Sequence, residues 1–204
     1  MISILDYGAG NLRSVQNAFD QIDSSYEVIR DPVSLGKSSR IVLPGVGNFG
    51  QMMRALDTLG LRETLRERIM SGLPFLGICL GLQALFERSA EAPDCTGLGI
   101  LAGDIERFPA EARVPHMGWN DITSVNPSRL IDASDGDRYL YFAHSYFAPV
   151  GSETTATCTY GEAFTAVLER DNIFAVQFHP EKSGPAGLAL LRRFADLPDG
   201  VSST

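Results

Sequence analysis

Cysteine is scarce, with only Cys79, Cys95 and Cys158 in a chain of 204 residues. Three is an odd number and no pair has metal-type spacing, which argues against a disulfide framework or a zinc site and for a reducing compartment, the cytoplasm. Long hydrophobic runs are also missing. The most apolar stretch, around Leu73–Phe86, is broken by Pro74 and glycines and ends in Glu87-Arg88, so it is too short and interrupted to span a bilayer. Positive charge is in deficit: 17 Lys and Arg against 25 Asp and Glu leave a net charge of −8. That speaks against nucleic acid as the main partner, because phosphate binding needs a concentrated positive surface. Met1 leads straight into Ile2-Ser3-Ile4-Leu5-Asp6 with neither a basic segment nor a small-residue cleavage site, so no secretory signal is visible. No repeat, low-complexity tract or Gly/Ser linker divides the chain.

What is present is an ordinary core-forming composition, 44% hydrophobic and 21% charged. The length fits one domain over residues 1–197, followed by a polar tail at 198–204 that has no periodicity. Ile2–Leu5 reads as a strand running into the turn Asp6-Tyr7-Gly8-Ala9-Gly10. Asn11 is placed to cap a helix whose Leu12, Val15, Phe19 and Ile22 recur at helical spacing. Arg40–Leu43 reads as a buried strand closed by Pro44-Gly45-Val46-Gly47, and a long helix from about Gly50 to Ser71, bent near Gly60, follows. Pro74–Ile78 is a strand that runs directly into a helix starting near Leu80. Short buried strands alternating with helices imply parallel pairing. In the second half, Tyr139–Tyr146, Thr154–Tyr160, Phe164–Glu169 and Phe174–Phe178 suit an antiparallel extension, before a final helix from Ala186 to Leu197. The expected fold is therefore α/β: a mixed, mainly parallel central sheet with helices on both faces and an antiparallel extension. Asp132–Arg138 reads as a variable loop, and the polar run Val33–Arg40 carries no functional account.

Gly77-Ile78-Cys79-Leu80-Gly81 has the form G-x-C-x-G, a cysteine version of the hydrolase nucleophile elbow. A sharp strand-to-helix turn strains the nucleophile's backbone, and only small residues two positions away let it close. The thiol then meets the positive end of a helix, and the N–H of Leu80 becomes an oxyanion donor. The alternative for Cys79 is a buried core cysteine; Cys95 and Cys158 lack the elbow context and read as structural. A thiol nucleophile needs a base, and the chain has three histidines, His116, His144 and His179. His179 follows the strand Phe174–Phe178 and precedes Pro180, while Glu181 lies where a carboxylate can turn back and fix the imidazole tautomer. An isolated histidine at a strand end is otherwise an ordinary surface residue.

The elbow together with His179-Pro180-Glu181 resembles the triad-type (class I) glutamine amidotransferases. Further segments resemble the glutaminase subunits of imidazole glycerol phosphate synthases: Asp6–Leu12, Pro44–Gly47, Pro115-His116-Met117-Gly118-Trp119-Asn120, His144-Ser145-Tyr146 and Phe178–Ser183. They follow the family's order from end to end. The resemblance implies a flavodoxin-like class I fold, a Cys79–His179–Glu181 triad, and an oxyanion hole from Val46, Gly47 and Leu80. It implies glutamine bound near Gly45, Gln83, His144, Ser145 and Tyr146. A partner face of Asn11, Met117, Trp119, Asn120 and Lys182 would dock on a separate (βα)8-barrel cyclase as a heterodimer that receives the ammonia. No metal or organic cofactor is implied. In the family the Pro44–Gly47 loop presents its donor after a peptide flip, whereas an ordinary strand-to-helix turn would explain the same residues. Gln83 could equally be a solvated helix residue, His144 a satisfied polar residue and Trp119 core packing. The rivals are a paralogue feeding another cyclase, a glutaminase of vitamin B6 synthesis, a cysteine peptidase or stress-protein relative, and a non-catalytic module.

Overall fold

A computed structural model describes residues 1–8, 11–132 and 139–198. Ala9 and Gly10, residues 133–138 of the expected variable loop and the expected tail from 199 onward lie outside the described residues. In chain order the first half runs β1 (Ile2–Leu5), α1 (Leu12–Gln21), β2 (Tyr26–Ile29), α2 (Pro32–Lys37), β3 (Ile41–Gly45), α3 (Phe49–Thr58), α4 (Leu61–Met70), β4 (Phe75–Cys79) and α5 (Leu80–Gln83). The second half adds β5 (Phe86–Ser89), β6 (Leu101–Arg107), β7 (His116–Asp121), β8 (Thr123–Ser124), β9 (Tyr139–His144), β10 (Tyr146–Phe147), β11 (Thr154–Tyr160), β12 (Glu162–Arg170), β13 (Ile173–Val176) and α6 (Gly184–Asp196).

Among the described residues the main sheet has eight strands in the order β2-β1-β3-β4-β13-β12-β11-β8. The first five pair in parallel, and β12, β11 and β8 extend the sheet antiparallel. Every residue of β1, β3, β4 and β13 is buried, as befits parallel strands covered on both faces. Their side chains alternate between two apolar layers. Ile2, Ile4, Val42, Leu76, Ile78, Phe174 and Val176 pack with Val15 and Phe19 of α1 and Leu190, Leu191 and Phe194 of α6. Leu5, Ile41, Leu43, Phe75, Ile173 and Ala175 pack with Leu35, Met52, Met53, Leu56, Leu65 and Ile69 of α2, α3 and α4.

Several boundaries differ from the sequence expectation. The expected long helix is two helices, because Gly60 takes φ +67 and starts a new one. The polar run before β3 contains α2, capped by Asp31, whose Oδ1 accepts the Ser34 N–H at 2.9 Å. Asn11 occupies the N-cap of α1 but makes no cap bond; its Nδ2 donates to Ser14 Oγ at 2.6 Å. The expected helix after Leu80 is a single turn that gives way to β5. The expected strand Tyr139–Tyr146 is two strands on either side of Ser145. One pairs with β7 in a separate ribbon, and the other pairs with β6.

Candidate active site

The floor of the site is the β4–α5 turn. Cys79 has φ 53 and ψ −103, a positive φ that costs a non-glycine residue about 1–3 kcal/mol. The flanking glycines make that turn possible. A Cβ on Gly77 would lie 2.6 Å from the carbonyl oxygen of Gly81, and one on Gly81 would lie 2.1 Å from that of Leu43. The Cys79 side chain lines a cavity of about 220 Å³ that Val46, Gly47, Leu80, Gln83, Ser145 and His179 also border.

The base reaches this floor through strand register. β13 pairs with β4 so that Ala175 faces Gly77 and Val176 faces Ile78, which carries the chain on to Gln177 and His179 beside the thiol. Gln177 Nε2 donates to Cys79 Sγ at 3.6 Å, and Cys79 Sγ contacts the Ala143 carbonyl at 3.9 Å. His179 Nδ1 lies 2.9 Å from Glu181 Oε1, and both side chains are 2% exposed. A carboxylate only accepts, so Nδ1 carries the proton and Nε2 is left for the thiol. Pro180 opens the 3₁₀ turn Pro180–Lys182 that brings Glu181 back over the ring. Ser183 Oγ donates to the His179 carbonyl at 2.6 Å, and the His179 N–H donates to the Tyr141 carbonyl at 2.8 Å, so the backbone of the base is held from both sides. Burial lowers the His179 pKa, but Cys79, as a charge and as a hydrogen-bond partner, and then Glu181 outweigh it and raise it to about 10. The second oxygen of Glu181 is buried without a hydrogen-bond partner among the described residues.

The remaining expected residues surround this centre. Gly47 takes φ +100 in the loop after β3, and Leu80 opens α5 directly after the thiol. Gly45 ends β3 behind the elbow, where a Cβ would sit 2.6 Å from Leu80 Cβ. Gln83 is not solvated: it is 3% exposed and its Nε2 donates to the Tyr146 carbonyl at 2.8 Å and to Gln177 Oε1 at 3.2 Å. The ring of His144 turns inward and uses both nitrogens within the protein, Nδ1 on the Tyr146 carbonyl at 2.9 Å and Nε2 on His116 Nδ1 at 3.1 Å. Met117 is 65% exposed and Trp119 47%, so Trp119 is not core packing. Trp119 stacks on Tyr139 at 6.3 Å, and Lys182 Nζ lies 5.6 Å above the Tyr141 ring. Asn120 Nδ2 donates to the Thr159 carbonyl at 3.1 Å.

Sequence reasoning passed over Gln177 and the inner role of His116. Gln177 was detectable as the one polar side chain inside the apolar run Ile173–Phe178, two residues before the base and so on its side of the strand. A larger cavity of about 370 Å³ around Gly103, Gly151 and Arg170 is bordered by neither cysteine nor histidine, so the chemistry converges on the smaller cleft. Cys95 and Cys158 are free thiols, and burial pushes Cys158 up to about 12. Among the described residues no group of three or more His, Cys, Asp or Glu side chains could hold a metal ion, and no helix is long and apolar enough to cross a membrane.

The chain is similar to known proteins over almost its whole length. The family profile "Glutamine amidotransferase class-I" matches residues 3–197. The imidazole glycerol phosphate synthase subunit HisH of Methanothermobacter thermautotrophicus is 50% identical, with 97% of this chain and 98% of the relative covered. The chloroplastic imidazole glycerol phosphate synthase hisHF of Arabidopsis thaliana is 44% identical over 95% of this chain and 34% of its own length. Among solved structures, a glutamine amidotransferase crystal structure superposes with a TM-score of 0.74 at 20% identity, covering 95% of this chain and 96% of the other. PurLQS from Thermotoga maritima superposes with a TM-score of 0.68 at 17% identity, covering 95% and 96%.

Proposed function

The chain belongs to the class-I glutamine amidotransferases and, within them, to the glutaminase subunits of imidazole glycerol phosphate synthase, and on that premise we propose that Cys79, His179 and Glu181 are its catalytic triad. They hydrolyse glutamine to glutamate and ammonia, and the ammonia passes to a separate (βα)8-barrel cyclase subunit bound as a heterodimer. The observation that carries this reading is the 2.9 Å His179–Glu181 pair, buried beside a cysteine whose backbone is strained at φ 53. The plant relative named hisHF, of which this chain covers 34%, supports a partner joined to this domain.

The chemistry follows from the charges. Cys79 and Glu181 favour a proton on His179, and the form of a thiol that attacks is the thiolate, reached once its proton has passed to the base. The sulfur attacks the carboxamide carbon, and the N–H groups of Leu80 and of the Val46–Gly47 loop stabilise the developing oxyanion. His179 gives its proton to the departing nitrogen, which leaves as ammonia and a glutamyl thioester. The sulfur has then lost its charge. The strongest influence that raised the His179 pKa is gone while burial remains, so the ring becomes a neutral base. It takes a proton from water, the resulting hydroxide cleaves the thioester, and glutamate leaves with thiolate and imidazolium restored. Gln83, Ser145 and Tyr146 border the space glutamine occupies.

The partner face is Met117, Trp119 and Asn120 on β7, with Asn11 and Lys182, because a large exposed aromatic and a methionine on one strand make an interface anchor. Glutamine hydrolysis is measured on the purified chain alone and with a cyclase subunit carrying a bound substrate analogue. A rate increase of about 100-fold or more that vanishes in Cys79→Ala is expected from one oxyanion donor being supplied on docking. High unstimulated activity with no response to the cyclase would keep the triad and remove the partner from the proposal.

A further inference from the structure

Strand β7 shows two different faces. Met117 and Trp119 point outward, while His116 and Asn120, four residues apart and therefore on one side, point inward. His116 and His144 are opposite one another in the β7–β9 register and are 3% and 6% exposed. Their hydrogen bonds permit a single assignment of protons. The Tyr146 carbonyl only accepts, so His144 Nδ1 carries a hydrogen at 2.9 Å. In the uncharged ring His144 Nε2 is then an acceptor, so His116 Nδ1 donates to it at 3.1 Å. That leaves His116 Nε2 to accept from Asn120 Nδ2 at 3.4 Å. The orientation of Asn120 is fixed independently: the other Nδ2 hydrogen goes to the Thr159 carbonyl at 3.1 Å, and Oδ1 accepts the Asp121 N–H at 2.9 Å. A carbonyl at each end dictates the same direction. Burial supports uncharged rings, lowering His116 to about 4 and His144 to about 3. Tyr160 and Phe142 sandwich the His116 ring at 4.1 Å and 4.9 Å, so it cannot turn over to reverse the order.

The chain continues to the nucleophile. The Tyr146 carbonyl that ends the histidine arm also accepts Gln83 Nε2 at 2.8 Å. Gln83 Nε2 reaches Gln177 Oε1 at 3.2 Å, and Gln177 Nε2 reaches Cys79 Sγ at 3.6 Å. We propose that His116 and His144 are positioning residues, forming a one-directional hydrogen-bond relay that ties the strand bearing Met117 and Trp119 to the Tyr146 carbonyl and the Gln83 amide of the glutamine cleft. The relay rests on the glutaminase reading above. It gives that reading a structural link between partner and substrate: a shift of β7 against β9 by about half an ångström takes the His116–His144 contact, 3.1 Å at rest, out of hydrogen-bonding range, and the strain is passed to the groups bordering the substrate.

Two measurements on the full-length protein test this. The first needs no activity: histidine-selective ¹⁵N–¹H correlation at pH 7.5 is expected to show both His116 and His144 as Nδ1–H tautomers. An Nε2–H or charged form of either ring overturns the relay. The second compares His116→Phe, which keeps the stack but cannot hydrogen-bond, with His116→Gln, which restores a donor and an acceptor. In the cyclase complex His116→Phe is expected to raise KM for glutamine about 10-fold with kcat changed by less than threefold, which corresponds to the roughly 1.4 kcal/mol of a misplaced hydrogen bond. His116→Gln is expected to recover most of that loss. Iodoacetamide alkylation of Cys79, which needs no bound glutamine, should keep its wild-type rate in both variants. An unchanged KM in His116→Phe, or equal losses in KM, kcat and alkylation that Gln does not repair, would reduce the pair to packing. A wild-type complex that hydrolyses no glutamine sinks the glutaminase reading itself and takes the relay's role with it, whatever the tautomers.

Discussion

β4 and β7 border the same cleft, Cys79 from one side and Met117 from the other, yet different forces hold them. β4 is buried along its whole length between parallel neighbours, and its turn closes on backbone-to-backbone approaches that leave no room for a Cβ at Gly77 or Gly81. β7 is covered on one face only, belongs to a two-stranded ribbon, and is registered by side-chain hydrogen bonds through His116 and Asn120. A floor built on steric exclusion is rigid and intolerant of change. A wall built on polar contacts and an exposed aromatic can shift by fractions of an ångström at small cost, and such a wall is suited to sensing a partner.

Substitutions should divide along that line. The largest effect on rate belongs to the floor: Glu181→Gln is expected to cut glutamine hydrolysis about 10²- to 10⁴-fold, by analogy with loss of the orienting acid in other triads. It should also lower the His179 pKa, since one of the influences holding it near 10 disappears; an NMR titration of the ring checks this. Gly81→Ala is expected to destabilise the fold by about 3 kcal/mol, because its Cβ has no space beside the Leu43 carbonyl; urea denaturation reads this directly. On the wall, Trp119→Ala should leave the melting temperature within a few degrees and weaken cyclase binding by about 2 kcal/mol, roughly 30-fold, measured by calorimetric titration.

The last contrast is in the response to pH, and here floor and wall differ in sign. His179 is raised to about 10 in the fold, so its contribution to stability is complete below about pH 6.5 and fades as pH rises through 10. His116 and His144 are lowered to about 4 and about 3. Their contribution is complete above about pH 6.5 and fades as pH falls towards 4, because the unfolded chain then binds protons that the fold refuses. Denaturation midpoints at pH 7.5, 5.5 and 4.5 should fall steadily, and the slope should flatten in His116→Phe. An unchanged slope would remove the buried pair from the acid response.

The floor was the part legible in sequence. Buried apolar runs such as Ile41–Leu43 and Pro74–Ile78, the G-x-C-x-G spacing and His-Pro-Glu each follow from local sterics and chemistry, and the structure brings Cys79, His179 and Glu181 together. The wall was legible only in part. β7 reads His-Met-Gly-Trp-Asn-Asp and lacks the β-branched residues that mark a strand, so its pairing with β9 is set by tertiary contacts rather than propensity. The break at Ser145, which separates β9 from β10, also depends on what each piece meets in space. Gln177 and the inward faces of His116 and His144 escaped because hydrogen bonds spanning 28 to 98 residues leave no local trace.

The central claim, that Cys79 on the strained turn is the one thiol which attacks a glutamine carboxamide, is tested most directly by labelling with a glutamine-like diazo ketone and mapping the adduct by mass spectrometry. The account predicts one adduct on Cys79, slowed by added glutamine and absent in Cys79→Ala. An adduct on Cys95 or Cys158 in its place, or labelling that glutamine does not slow, would contradict it.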